Sequence, residues 1–348
     1  MSHDRPLFCW TFRFIETLSA EGIDSLQRAR GRPLVRRPAC TGPVPLVQPR
    51  DSGGAELDPR SLIQAIEEIA SHDASVAWCV GQTNICALTA AYLAPEVVQD
   101  IFGPDTGILA WGPRPGEAKA VPGGYRVSGG FQFASGSRLA TWLGCHVPVI
   151  EPDGSKRPGI NGKPLHATMF FRKNTVEVQD TWYTMGLRGT GSDSYTVTDL
   201  FVPEAYTMKR DGSAKPRVRG ELYAFTPSTR YAGSFAGIAL GIARSVMAAF
   251  VQEAADVWTE ARKRGHLTQD ELLSIRLASS FAIQSAKQVV ASLYEAAGAM
   301  AIFNARPFER RFRDIHTVTQ QIQGHPEHFE TVGQVLLGRK PDRPLFTF

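Results

Sequence analysis

The chain has 348 residues, of which 21% are charged and 43% hydrophobic, and its formal net charge is +4. This small basic excess argues against a nucleic-acid-binding protein, while the length allows a sizeable core in two or three structural units. Its five cysteines are odd in number and lack paired spacing, which is typical of a reducing compartment. We find no signal-peptide pattern and no apolar stretch of membrane-spanning length, so we expect a cytoplasmic protein without membrane contact.

Helices are predicted before the middle of the chain. Asp58 is a good cap for a first helix, because Pro59 follows at the first helical position and an apolar face continues from it. A second helix, over residues 74–93, is apolar on nearly all faces and should be buried. A third is predicted over residues 96–102. The arm before these helices has no clear period, and only residues 14–27 favour a short helix there.

The hydrophobic pattern then changes from helical to alternating, which predicts short strands separated by Gly, Pro and Asp clusters. Because no strand alternates with a helix, we expect an antiparallel sheet that is barrel-like rather than a parallel doubly wound sheet. The predicted strands cover residues 108–111, 124–133, 141–149, 167–172, 176–184 and 194–202.

Helices return in the last part of the chain. A long apolar helix is predicted over residues 231–258, and a second over 267–303 that opens with a capping box at Thr268. Shorter helices are predicted over 314–323 and 326–337. In the predicted helix over 231–258, small residues at four-residue spacing favour close contact with another helix: Gly233, Gly237 and Gly241.

The fold class predicted from this order is α+β, with helices, then a sheet, then helices. The predicted units are a poorly defined N-terminal arm over 1–52, an N-terminal helical domain over 53–106, a middle β domain over 107–206 and a C-terminal helical bundle over 207–348.

Several nucleotide and metal signatures are excluded. The glycine-rich stretch 186–192 lacks the third glycine of a dinucleotide fingerprint and the Gly-Lys-Ser ending of a phosphate loop, and it precedes a predicted strand. His325 and His328 do not suggest a metal site, because Pro326 prevents a continuous helix from presenting both. No Gly-x-Ser-x-Gly elbow supports a hydrolase.

Three motifs in the middle of the chain carry a family resemblance. They are Trp-Gly-Pro-Arg-Pro-Gly-Glu-Ala from Trp111, the glycine-rich strand over 123–136 that ends in Phe-Ala-Ser-Gly, and the stretch 185–204. In this order they resemble the middle domain of the acyl-CoA dehydrogenase superfamily. They are most similar to its flavin-dependent monooxygenase branch, which includes p-hydroxyphenylacetate hydroxylase and dibenzothiophene monooxygenase. Residues 306–316 and 329–338 resemble that branch's C-terminal signature.

The resemblance implies a flavin, FAD or FMN, whose ring rests on the middle domain. It implies that the Ser135 hydroxyl donates a hydrogen bond to flavin N5, although a serine at this position alone is more often bonded within its own turn. For Arg188, contact with a ligand and a tie between loop and sheet are equally open. The implied cofactor-binding residues are Trp111, Gly112, Pro113, Phe133, Ser135, Gly136 and Arg188.

The sequence departs from the family at positions that handle protons. Acyl-CoA dehydrogenases use a carboxylate base where this chain has the stretch 319–323, and glutamine cannot act as that base. Cys86, Leu139 and Gln321 stand where the hydroxylases often have histidine. His316 is the remaining proton-handling candidate, with an exposed helix residue as the equally open alternative. The predicted catalytic residues are therefore His316, Gln321 and Ser135, and the predicted substrate-pocket residues are Cys86, Trp142 and Gln320.

Three functions stay open at this point. The first is an oxygenase component that takes reduced flavin from a separate flavin reductase and oxygenates an apolar or aromatic small molecule. The second is oxidation of an acyl-CoA or similar thioester. The third is a degenerate, non-catalytic relative. The missing histidines and a shortened C-terminal bundle are the features that favour this alternative. The resemblance also implies a homodimer or homotetramer.

Overall fold

A computed structural model describes residues 45–103, 107–113, 115–160, 162–224 and 227–341. The helix predicted over residues 14–27 lies outside these ranges. The chain divides into two compact units, of which the first ends at Ser245 and the second begins at Val246. We describe each unit by itself, and the division into four units remains a prediction.

The described part of the first unit has three α-helices before its sheet. Helix α1 covers Pro59–His72, and the Asp58 carboxylate caps it as predicted by accepting from the backbone N–H groups of Arg60 and Ser61. Helix α2, Ala74–Ala87, is largely buried, as expected, but it ends before the predicted limit because the chain tightens into a 3₁₀ turn at Leu88–Ala91. Helix α3 covers Pro95–Phe102.

Eight strands form the sheet of the first unit within the described residues. They are β1 (Leu109–Gly112), β2 (Gly116–Val121), β3 (Gly124–Ala134), β4 (Trp142–Ile150), β5 (His166–Arg172), β6 (Glu177–Gln179), β7 (Asp193–Pro203) and β8 (Thr207–Lys209). The short strands β2 and β8 were not among the predicted ones. Alternating side chains on these strands build a core around Val127, Phe131, Leu143 and Tyr195.

The predicted antiparallel barrel is wrong in two respects. The strand order is β6-β7-β3-β2-β4-β5-β8, so the sheet is open, and its edge strands β6 and β8 have only three residues each to offer for pairing. The sheet is also mixed, because β1 and β2 both pair with β4 in parallel. Alternation along a strand reports which face is buried and carries no information about the direction of its partner.

Helix α4, Pro227–Arg264, begins in the first unit and ends in the second. Our expectation that no stretch reaches membrane-spanning length is wrong for Thr229–Arg264, which is long and apolar enough by length and composition. Core helices of soluble proteins meet the same criterion, and Ile238 of this helix packs into the core formed with α1 and α2. The finding by itself therefore assigns no location.

Up to residue 341, where the described part of the chain ends, the second unit contains three further α-helices. Helix α5 covers Gln269–Ala296 and opens with the predicted capping box, in which Thr268 and Glu271 bond each other's backbone N–H. Hydrogen bonds from Thr268 and Arg264 hold the pKa of the Glu271 carboxyl at about 2. Helices α6, Phe308–Val318, and α7, Glu327–Leu336, complete the unit, and α5 packs against both.

The predicted close contact of small residues on α4 is present in the first unit. A Cβ atom on Gly241 would lie 2.3 Å from the Glu67 carbonyl oxygen and 2.5 Å from the Ala70 Cβ. A Cβ on Gly237 would lie 2.7 Å from the Ile63 carbonyl oxygen. The backbone of α4 therefore approaches α1 so closely that only glycine fits at these two positions.

We predict that Gly241→Ala destabilises the protein by about 1–3 kcal/mol, because the new methyl group forces α1 and α4 apart. Alanine is intrinsically a better helix former than glycine, so a loss of stability would come from the steric contact and not from helix propensity. The control is Gly333→Ala on α7, where a Cβ would meet no atom within 4 Å. That change should stabilise by about 0.5–1 kcal/mol. Urea unfolding of both variants checks the prediction, and a neutral or stabilising Gly241→Ala would contradict it.

Candidate functional site

A cavity of about 650 Å³ lies within the first unit, between the end of β3, helix α2, the loop before β7 and the start of α4. Its size is that of a small-molecule or cofactor site. Five aromatic side chains line it: Trp78, Trp111, Phe133, Trp182 and Tyr231. Walls of this kind suit a flat, largely apolar ligand.

A β-bulge at the end of β3 turns one of these rings into the cavity. The register between β3 and β7 shifts between Phe131 and Ala134, and Phe133 adopts a φ of 57°, which is rare for a residue other than glycine. The Phe133 ring is 59% exposed, and it meets the Trp182 ring edge-to-face with centroids 6.1 Å apart. Backbone strain of this kind is characteristic of binding sites.

Ser135 lies beside this bulge at the start of a chain of buried hydroxyls. Its Oγ accepts a hydrogen bond from Trp78 Nε1 at 2.9 Å and lies 2.8 Å from Ser192 Oγ. Ser192 Oγ lies 2.7 Å from Thr190 Oγ1, which donates to the Leu187 carbonyl oxygen at 3.0 Å. All three hydroxyl residues are buried, so these bonds fix the polar floor of the cavity.

Polar side chains also line the cavity near Trp111. The His146 ring meets Trp111 with centroids 4.7 Å apart, and Arg210 Nη1 lies 3.3 Å from His146 Nε2. Tyr231 OH accepts from Gln82 Nε2 at 3.2 Å, and burial raises the pKa of this tyrosine well above its usual value. The tyrosine therefore stays neutral across the physiological pH range.

The loop that carries Trp182 is held by a buried carboxylate. Asp193 accepts from Arg138 Nε at 2.7 Å and from the backbone N–H groups of Thr181 and Trp182, each at 3.2 Å. The hydrogen bond to Asp193, helped by its charge, raises the pKa of the Arg138 guanidinium, which also bonds Asp180. Trp182 Nε1 donates to the Leu187 carbonyl oxygen, so the ring is fixed at both its backbone and its indole nitrogen.

The structure brings four of the predicted flavin residues together on the cavity wall: Trp111, Pro113, Phe133 and Ser135. Gly112 lies behind this wall, where its N–H donates to Tyr195 OH, and the Gly136 N–H donates to the Thr190 carbonyl oxygen. Arg188 is exposed and is not part of the cavity wall. The roles assigned to these residues remain predictions.

Two predicted substrate residues lie in the core behind the cavity. Trp142 stacks on Tyr206 with centroids 5.5 Å apart, and the Arg172 guanidinium lies over its ring. Cys86 is fully buried, accepts from Gln82 Nε2 at 3.7 Å and has a pKa raised by burial. Neither contributes to the cavity wall within the described residues.

The three remaining predicted residues lie in the second unit. His316 packs on the Phe312 ring with centroids 4.3 Å apart, and its Nε2 is buried without a hydrogen bond inside the described part of the chain. Gln321 Oε1 accepts from the Gln323 N–H at 2.6 Å, and Gln320 is exposed. Their proposed catalytic and substrate roles remain predictions.

Several site residues were missed by the sequence analysis: Trp78, Trp182, Ser192, Asp193 and Arg210. Trp78 lies on a helix whose apolar faces only indicated burial, and the other four lie in or near loops. A weak signal was present in the polar run Thr190-Gly-Ser-Asp-Ser194 at the start of β7, since polar groups at a buried strand end need partners. In the described residues, no three His, Cys, Asp or Glu side chains are grouped to bind a metal ion.

Comparison with known proteins gives a consistent set of relatives. Residues 248–325 match the family model of the acyl-CoA dehydrogenase C-terminal domain. A pigment production hydroxylase from Rhodococcus erythropolis is 29% identical over 199 residues, which cover 56% of this chain and 50% of that protein. The oxygenase subunit HsaA of a flavin-dependent monooxygenase from Mycobacterium tuberculosis is 25% identical over 310 residues, covering 85% of this chain and 76% of HsaA.

The fold is also similar to solved structures. XiaF from a Streptomyces species, determined in complex with FADH2 and glycerol, has a TM-score of 0.61 and 22% sequence identity. The match covers 96% of both chains. At this identity the likeness concerns the fold alone.

We predict that Asp193→Ala lowers the free energy of unfolding by about 1–3 kcal/mol, because it leaves two backbone N–H groups without their acceptor and Arg138 with Asp180 as its remaining carboxylate partner. It should also speed hydrogen exchange at Thr181 and Trp182. The control is Asp199→Asn, whose ion pair with Arg126 is exposed, and there the change should stay within about 0.5 kcal/mol. Equal unfolding energies for the two variants in urea would show that Asp193 does not hold the loop.

Proposed function

The chain belongs to the acyl-CoA dehydrogenase superfamily, and from this membership and its cavity we propose that it is the oxygenase component of a two-component flavin-dependent monooxygenase. In this proposal it takes reduced FAD or FMN from a separate flavin reductase and uses O2 to oxygenate an apolar or aromatic small molecule. The observation that carries the proposal is the aromatic cavity with the Ser135 hydroxyl on its wall. The named activity of the HsaA relative supports the same assignment.

The residues of the cavity suit a flavin ring. Trp78, Trp111 and Phe133 offer flat apolar surface beside the Ser135 hydroxyl. We propose that the ring contacts Ser135 at N5 and that the β1 edge at Gly112 and Pro113 lies beside it. Gly136 and Arg188 complete the proposed cofactor contacts, as the family resemblance implies.

When bound, reduced flavin supplies the electrons that activate O2. The protein's contribution is to bind, orient and protect. Trp182 and Phe133 flank the cavity with apolar surface, which limits the access of water to a bound cofactor. Gln82 and Tyr231 present neutral hydrogen-bonding groups to the substrate space, and the buried Tyr231 hydroxyl keeps its proton.

We further propose that the chain forms a homodimer or homotetramer. Helix α4 supports this proposal because a row of its large apolar side chains is exposed to solvent, far more than a monomeric helix usually leaves uncovered. The exposed side chains on α4 include Leu240, Val246, Met247, Val251 and Trp258.

We predict that Ser135→Ala weakens binding of reduced flavin about threefold to tenfold, because one hydrogen bond to the ring is lost. Anaerobic titration with reduced FMN and FAD measures the dissociation constants. The control is Ser128→Ala on the same strand, whose hydroxyl accepts from the Asp199 N–H outside the cavity. That variant should bind flavin as the unchanged protein does.

Turnover with a flavin reductase, reduced flavin and ¹⁸O2 tests the reaction itself, and labelled oxygen should appear in an aromatic product. A folded protein that binds neither reduced nor oxidised flavin would overturn the proposed function. Bound oxidised flavin that is bleached by an acyl-CoA would instead place the protein among the dehydrogenases.

A further inference from the structure

The hydroxyls of Ser135, Ser192 and Thr190 form a chain of hydrogen bonds that ends at the Leu187 carbonyl oxygen. Counting the hydroxyl protons shows which group donates in each bond. A carbonyl oxygen only accepts, so the single Thr190 hydroxyl proton is used for Leu187 at 3.0 Å. Thr190 must then accept from Ser192, since their oxygens are 2.7 Å apart. The Ser192 proton is thereby used as well, and Ser192 accepts in turn from Ser135 at 2.8 Å. The Ser135 proton therefore points to Ser192.

The opposite direction is unfavourable. If Ser192 donated to Ser135, Thr190 would have to donate to Ser192, and the Thr190 and Leu187 oxygens would face each other at 3.0 Å with no proton between them. Thr190 is only 2% exposed, so solvent gives that contact little relief. Trp78 Nε1 is a donor only, and it uses one of the two Ser135 lone pairs in either direction.

What Ser135 has left is a single lone pair. Its proton is directed to Ser192 and one lone pair to Trp78, while the residue itself lines the cavity. Toward a ligand in this cavity Ser135 is therefore a hydrogen-bond acceptor. The donor role that the family resemblance implied would require the buried chain to reverse.

A flavin distinguishes between these two roles. N5 of oxidised flavin carries a lone pair and no hydrogen, whereas N5 of reduced flavin carries a hydrogen. We infer that Trp78, Ser192 and Thr190 are positioning residues that fix Ser135 as an acceptor and so make the cavity select reduced over oxidised flavin. This inference rests on the proposed function, and it deepens it by naming the residues that set the preferred redox state.

The selection suits a protein that receives its flavin from a partner. A preference for the N5–H form retains the reduced cofactor on arrival and favours release of the oxidised form after turnover. The preference arises from a proton arrangement in the protein, so it should be measurable without substrate or catalysis.

The test is Ser192→Ala, which removes the acceptor of the Ser135 proton and lets that proton turn to the cavity. Anaerobic and aerobic titrations give the dissociation constants of reduced and oxidised FMN and FAD. We expect the ratio of the oxidised to the reduced constant to fall about threefold to tenfold relative to the unchanged protein. Ser137→Ala is the matched control, because its buried hydroxyl donates to the Gly191 carbonyl oxygen at 3.1 Å and has no part in the chain. Its ratio should not change.

A second variant acts by another route. Thr190→Val deprives Ser192 of its acceptor, so the Ser192 proton turns to Ser135 and the ratio should again fall. In both variants the midpoint potential of the bound flavin should become more negative, because the oxidised form gains affinity relative to the reduced form.

The outcomes separate the inference from the function it rests on. An unchanged or increased ratio in variants that still bind flavin overturns the inference and leaves the proposed function standing. Loss of both flavin forms in both variants, with melting curves that show folded protein, also overturns it, because only the relative affinity should change. An unchanged protein that binds neither form overturns the proposed function.

Discussion

The bulge at the end of β3 is the constraint on which the candidate site depends. It places Phe133 at a positive φ and interrupts the pairing with β7, so Phe133 points into the cavity while Ala134 stays in the core. Ser135 follows at the buried edge of the same cavity. In a regular strand Phe133 would share the core-facing side with Phe131, and Ala134 would lie on the opposite side; the bulge reverses this order and turns Phe133 out of the core.

The strained end of β3 is held in place by the loop that precedes β7. The end of that loop and the first residue of β7 carry two supports of the cavity: Ser192 receives the Ser135 hydroxyl, and Asp193 fixes the backbone of Trp182. The neighbouring residues Ser192 and Asp193 thus support two different segments. Ser192 bonds the end of β3, and Asp193 bonds the loop that carries Trp182. Arg138, only three residues after Ser135, bonds Asp193, so this ion pair ties the same two segments together a few residues further along the chain.

Local features of this chain could be predicted, whereas pairings over long sequence distances could not. The cap at Asp58, the capping box at Thr268 and the close approach at Gly241 each depend on residues within one helix or on one small side chain. The antiparallel barrel failed because the parallel pairing of β2 with β4 joins residues about thirty positions apart, which alternation does not record.

The same distinction explains the site. Ser135 was found through a local motif, but its partner Trp78 is 57 positions away on a helix whose apolar pattern indicated only burial. A sequence shows that a hydroxyl is present, and it does not show whether that hydroxyl donates or accepts. The role is decided by where each proton of a buried chain can go, and in this protein the last acceptor, the Leu187 carbonyl, decides it for all three hydroxyls. The backbone carbonyl of Leu187, two hydroxyls away from Ser135, thus decides whether a ligand meets a donor or an acceptor at Ser135.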